Sequence, residues 1–123
     1  MVLIKKFEDI VAWQEARKLI ASIYKITNTG ALAKDYGLRD QIQRASVSAM
    51  PNIAEGFDCE SKVEFARFLG IARRSAVEVQ SLLYAALDIV YINQETFNVE
   101  YQQAEKTKAL IGGLKRSLKP KDS

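Results

Sequence analysis

The sequence predicts an all-α fold: an antiparallel up-down-up-down four-helix bundle with a Pro-kinked second helix. Three observations predict it. Long stretches place apolar residues every three or four positions, which is one face of a helix, and few keep the period of two that a strand needs. Only two prolines and six glycines interrupt the 123 residues. Four amphipathic segments are separated by short joints, which makes successive helices antiparallel neighbours. The length is that of a single domain, residues 1–123. Such a chain buries roughly two thirds of its unfolded surface and needs no covalent or metal staple.

The first helix spans about residues 8–28, with Ile10, Trp13, Ala16, Ile20, Ile23 and Thr27 on one face. Glu8 and Asp9 fall in its first turn, where carboxylates complement the helix dipole, and Gly30 marks its stop. The second helix spans about 38–57, on a stripe of Leu38, Ile42, Ala45, Ala49 and Ile53. Pro51 lies inside it, removes one backbone hydrogen bond and crowds the preceding turn.

Ser61 and Glu64 form a capping box that opens the third helix, about 62–92. Its stripe is Phe65, Phe68, Ala72, Ala76, Val79, Leu83, Ala86 and Val90. Asn93 caps the fourth helix, about 94–118, whose stripe is Phe97, Tyr101, Ala104, Ile111, Leu114 and Leu118. Pro120 ends it, and residues 119–123 form a short basic tail. Additional apolar residues, Val47, Met50 and Ala54 on the second helix and Leu69, Ile71, Leu82 and Leu87 on the third, widen those faces. They form either a broad buried face or a surface covered by another subunit.

Composition excludes several chemistries. There is no histidine and a single cysteine, so no Ser-His-Asp triad, Cys-His pair, His-liganded zinc, Cys₄ site or intrachain disulfide exists. Apolar residues reach 48%, too many for a disordered chain. Charges make up 27% and are spread throughout, so no apolar run is long enough to cross a membrane. In Met1-Val2-Leu3-Ile4-Lys5-Lys6 the apolar residues precede the charges, the wrong order for a signal peptide, and a cytoplasmic location is expected. The glycines match neither a dinucleotide nor a P-loop spacing, and no cofactor is expected. Cys59 lies between Asp58 and Glu60, which raise a thiol pKa rather than lower it.

Phe7-Glu8-Asp9-Ile10, followed by Ala12-Trp13-Gln14-Glu15-Ala16, resembles the opening of the small bacterial four helix bundle proteins, the 23S rRNA-intervening-sequence or S23 family. Tyr36-Gly37-Leu38, Arg44-Ala45 and the run Asn52-Ile53-Ala54-Glu55-Gly56-Phe57 are similar to its central signature. Glu64-Phe65, Phe68-Leu69, Ile71-Ala72-Arg73, Ser75 and Glu78 are similar to its third-helix pattern. The resemblance implies a bundle that assembles with itself, commonly as a homopentamer, and no catalytic site. It also implies RNA or DNA, or a neighbouring protein such as a reverse transcriptase, as partners. The matched charges Arg44, Glu55 and Glu78, with Asn52, are expected to face the core as an internal ion-pair network, because an uncompensated buried charge costs several kcal/mol. No nucleophile, metal cluster or phosphate loop accompanies those carboxylates, and the chain is expected not to be an enzyme.

The basic residues carry the functional expectation. Residues 106–123 hold six Lys or Arg and one acid, a net +5 against −2 over residues 1–105. Lys108, Gly112, Lys115 and Lys119 share one helical face, Arg116 and Lys121 extend it, and Arg67 and Arg74 form a second stripe on the third helix. Such a run is either a solvated face or a surface that neutralises nucleic-acid phosphates without reading sequence. Gly112-Gly113 within the helix serves either close packing against a neighbouring helix or close approach of a phosphate.

Overall fold

The structure is a computed structural model and describes residues 4–119. Four helices account for nearly all of it: α1 (Val11–Thr27), α2 (Tyr36–Asp58), α3 (Lys62–Asp88) and α4 (Gln94–Ser117). Each helix packs against the ones before and after it, and α4 closes the ring against α1. At 27 residues, α3 is the longest, about 40 Å at 1.5 Å per residue.

The helix starts follow local chemistry. Phe7–Asp9 forms a separate 3₁₀ turn, and Ile10 is extended with φ −78° and ψ 119° before α1 begins. Ile10 is buried, which turns the chain into the bundle. Glu8 and Asp9 therefore lie ahead of α1 rather than in its first turn. Asp35 caps α2 by accepting from the Leu38 N–H at 3.2 Å, so that helix starts two residues earlier than its apolar stripe suggests. Asn93 caps α4 as expected, accepting from the Thr96 N–H at 2.8 Å. Ser61 accepts from the Glu64 N–H at 3.3 Å, while the Glu64 carboxylate accepts from Arg67 instead.

Helix α2 runs without interruption through Pro51. The proline lacks an N–H for the carbonyl of Val47, one turn earlier, and Val47 lies on the exposed side of the helix. Farther along, α2 meets α3 closely at Gly56. A Cβ there would stand 2.6 Å from the Cβ of Phe68 on α3, so only glycine lets the two helices meet.

Helix α3 ends four residues before its periodicity predicts. The Tyr91 N–H bonds to Ala86 O at 2.9 Å and the Val90 N–H to Leu87 O at 3.0 Å. This 6→1 and 5→2 pair is a Schellman ending, with Val90 in the left-handed region at φ 68° where glycine normally stands. Val90 is 81% exposed instead of extending the core stripe. Ile92 turns inward behind it, and the Tyr91 hydroxyl donates to Asp35 at 3.0 Å, tying the two joints at this end together.

The core forms two clusters. One gathers Leu19, Ile23, Leu32, Ile42, Val79, Leu83 and Phe97 toward the α1–α2 joint. The other gathers Ile10, Ala16, Ala49, Ile53, Leu69, Ala72 and Ile111 toward the α2–α3 joint. Each fully buried Leu or Ile contributes about 1.5–3 kcal/mol relative to exposure.

Candidate functional site

The glycines of α3 and α4 explain where the basic residues converge. A Cβ on Gly70 would stand 3.3 Å from Lys115 Nζ and 3.7 Å from Arg74 Nη1. A Cβ on Gly112 would stand 3.3 Å from Arg116 Nη1 and 3.7 Å from Arg73 Nε. Two cations thus crowd over each glycine. Both glycines are buried beneath these side chains, and a Cβ on either would meet charged heads rather than the backbone of a neighbouring helix.

Among the described residues, Arg74, Lys115 and Arg116 have no carboxylate within 4 Å. Like charges held this close repel one another, and an anion relieves that repulsion. Guanidinium groups suit a phosphate in particular, because their planar fork matches its oxygens.

Two of the expected residues are already occupied. Lys108 pairs with Glu105 at 2.9 Å. Arg67 pairs with Glu64 at 2.9 Å and lies over the Phe68 ring, 4.7 Å from its centre. The Glu105 carboxyl, which also accepts from Gln80 at 2.9 Å, is held below its ordinary value by that amide first and by Lys108 next, with Arg73 adding to the effect. Lys121 lies outside the described residues.

Lys119 takes a different place. It rims a groove of about 340 Å³ between the start of α3 and the end of α4, with Lys62, Lys115, Val63, Ala66 and Leu118 as the other walls. Val63 is 78% exposed, an apolar side chain left in solvent at the edge of a cationic surface. The C-terminal charge count alone leads to Lys115, Arg116 and Lys119. It misses Arg73 and Lys62, which belong to the same surface only because α3 runs antiparallel beside α4. The available signal was the spacing of three from Gly70 to Arg73 and of three from Gly112 to Lys115.

The expected internal network is corrected. Arg44, Glu55 and Glu78 are exposed, and none takes part in an ion pair among the described residues. The buried line of α2 runs through Ile42, Ala45, Ala49, Ile53 and Gly56, so Arg44 and Glu55 stand one position off it and remain hydrated. Asn52 instead bonds within its own helix, donating to Ser48 O at 2.7 Å.

The buried carboxylates are Glu15 and Glu100, both on the seam between α1 and α4. Gln103 Nε2 donates to Glu15 Oε1 at 3.0 Å, Lys18 Nζ sits 3.0 Å from Oε2, and Lys106 Nζ lies 3.6 Å from Oε1. Hydrogen bonds from Gln103 and then Lys18 hold the Glu15 carboxyl below its usual value, against the opposing effect of burial. Glu100 has no such cation. Burial pushes its carboxyl up, and the hydrogen bond from Ser22 at 2.6 Å pulls only partly back. Among the described residues no group of acidic or thiol side chains could hold a metal ion, and no helix is long and apolar enough to cross a membrane.

Fold and surface together define a small four-helix bundle with a cationic face across two neighbouring helices. The chain belongs to the family of 23S rRNA-intervening sequence proteins, whose family model matches residues 8–113. A crystal structure of a protein of unknown function from the S23 ribosomal protein family of Bacteroides thetaiotaomicron has the same fold. It superposes with a TM-score of 0.78 at 21% identity, covering 85% of this chain and 98% of that one. None of the curated proteins matches the sequence.

Proposed function

We propose that this bundle is a cytoplasmic, non-enzymatic protein that binds RNA or DNA through the cationic face of α3 and α4, without reading sequence. One observation carries the reading: Arg74 and Lys115 over Gly70, and Arg73 and Arg116 over Gly112, present four converging cations, none with a carboxylate within 4 Å among the described residues. Phosphates of a nucleic-acid backbone supply the missing anions. The arrangement offers charge and few base-reading groups, so affinity should depend on salt far more than on sequence.

Self-association, with the homopentamer implied by the family resemblance as the expected form, would multiply this face and convert a modest affinity into a strong one. Exposed Val47, one turn from Arg44, and exposed Val77, beside Glu78, favour a surface for another subunit. The same apolar positions favour a second reading, an accessory subunit for a neighbouring protein such as a reverse transcriptase.

Filter binding of RNA and DNA across a salt series tests the proposal, with the mass in solution measured alongside. Charge reversal at Arg74 and Lys115 should abolish retention while leaving the mass unchanged. Absence of retention at low salt by an intact wild-type oligomer would overturn it and leave the accessory reading.

A further inference from the structure

The groove at the end of the cationic face differs in kind from the face itself. Its lining joins three lysines, Lys62, Lys115 and Lys119, to three apolar side chains, Val63, Ala66 and Leu118, which serve as its floor. Its charge is that of a phosphate site, while its floor offers no polar side chain to a phosphate. An exposed valine there gains nothing in water and gains when another apolar surface covers it.

We infer that this groove seats one unstacked nucleobase of a single strand on Val63, Ala66 and Leu118, with the flanking phosphates on Lys62, Lys115 and Lys119. The inference rests on the nucleic-acid reading above and narrows it to single strands and unpaired ends. Lys115 links the two surfaces, because its Nζ lies over Gly70 on the cationic face and the same residue lines the groove. A backbone that follows the cations is therefore led directly over the apolar floor. A duplex keeps its base faces stacked against each other and has only sugar and phosphate to offer such a floor. A single strand presents both charge and a flat apolar face. The floor bears no hydrogen-bonding side chain, so the seat accepts any base. An acyl anion has a single charged head and would engage the three ammonium groups less completely. Aromatic residues are the usual platform for single strands, and here an aliphatic floor fills that place.

Fluorescence anisotropy on the full chain tests this with three probes of equal phosphate count at one salt concentration: oligothymidylate, the same strand with abasic sugars, and a duplex. Oligothymidylate should bind roughly fivefold tighter than the abasic strand, the factor of a base contact at the low end of the stacking range. Val63→Ser, at an exposed position, should bring oligothymidylate down to the abasic level and leave abasic binding unchanged. Arg74→Ala should weaken all three probes together. Equal affinity of the wild type for oligothymidylate and the abasic strand, or tighter binding of the duplex, would overturn the base seat while the nucleic-acid reading stands. Methyl shifts of Val63 with dodecyl phosphate but not with oligothymidylate would overturn it in favour of an acyl anion. No binding of any strand at about 50 mM salt would overturn both readings, because phosphate contacts are strongest there.

Discussion

Three glycines inside helices have opposite meanings, and the difference lies in what a methyl group would touch. At Gly56 it would strike the Cβ of Phe68 at 2.6 Å, an atom fixed to the α3 backbone. Gly56→Ala should therefore cost about 1–3 kcal/mol by overpacking, read from the denaturant midpoint. At Gly112 the nearest atoms are the far ends of Arg116 and Arg73, which can swing aside. Gly112→Ala should gain up to about 1 kcal/mol of helix propensity, and Gly70→Ala likewise. Both should weaken polyanion binding, because the methyl displaces the converged cations. A variant that is more stable yet binds less separates the two roles in one pair of measurements, and unchanged binding in both would remove the glycines from the site.

Glu100 gives a pH prediction of definite sign. Burial raises its carboxyl in the folded state above the ordinary 4.5, so the fold prefers it protonated. Its contribution to stability is complete below the unfolded value and is lost as pH rises through the folded one. Glu100→Gln keeps an acceptor for the Ser22 hydroxyl and cannot ionise. It should stabilise the protein at pH 7 and make no difference near pH 4, as judged by chemical denaturation at both. Glu15 has the reverse sign. Gln103 and Lys18 lower its carboxyl, so its contribution is present above the unfolded value and fades as acid is added. Neither residue was legible as a buried charge. Each sits at helical spacing within an apolar stripe, but a carboxylate in such a position normally turns to solvent, and the partners that satisfy these two, Gln103 and Lys106 for Glu15 and Ser22 for Glu100, lie on the opposite helix, with Lys18 joining from Glu15's own.

At the scale of the element, the number, order and caps of the helices follow from sequence, and their ends are where reasoning from periodicity fails. Periodicity carried α3 through Val90, because a valine at the correct interval looks like another core position. The chain instead uses Val90 as the left-handed residue of the Schellman ending, at φ 68°. An L residue pays roughly 1–2 kcal/mol for that conformation, more when branched at Cβ, and glycine does not. Val90→Gly should raise stability by about 1 kcal/mol, since an 81% exposed side chain has little packing to lose. Thermal or denaturant melts would show it, and a loss of stability would mean that the valine makes contacts the isolated chain lacks. The α1 start has a similar lesson. Glu8 and Asp9 look like the first turn of a helix, but buried Ile10 interposes an extended residue and leaves them in a turn of their own.

At the scale of the molecule, the charge asymmetry was legible and its geometry was not. Counting charges locates the basic end of α4. Only the antiparallel packing of α3 brings Arg73, Arg74 and Lys62 beside it, and only the ion pairs reveal that Lys108 and Arg67 are occupied. A salt-dependence measurement should resolve the two classes. Arg74→Ala and Lys115→Ala should each reduce the slope of log affinity against log salt by about 1. Lys108→Ala and Arg67→Ala should change it far less, because each already has a carboxylate at 2.9 Å. Equal slopes for all four would deny any special status to the cations over the glycines.

An even number of antiparallel helices returns the chain to the pole from which it set out. The beginning of α1, the joint of residues 59–61 and the end of α4 therefore share one pole, and the groove of Lys62, Val63 and Leu118 opens there. Lys119, the last described residue, lines that groove, and a dye on exposed Cys59 stands three residues from Lys62. A terminal purification tag or a label on the native thiol would then act as a competitor in the binding assays that matter. The neutral place for a probe is the opposite pole, at exposed Ala31 in a background where Cys59 has been replaced by serine.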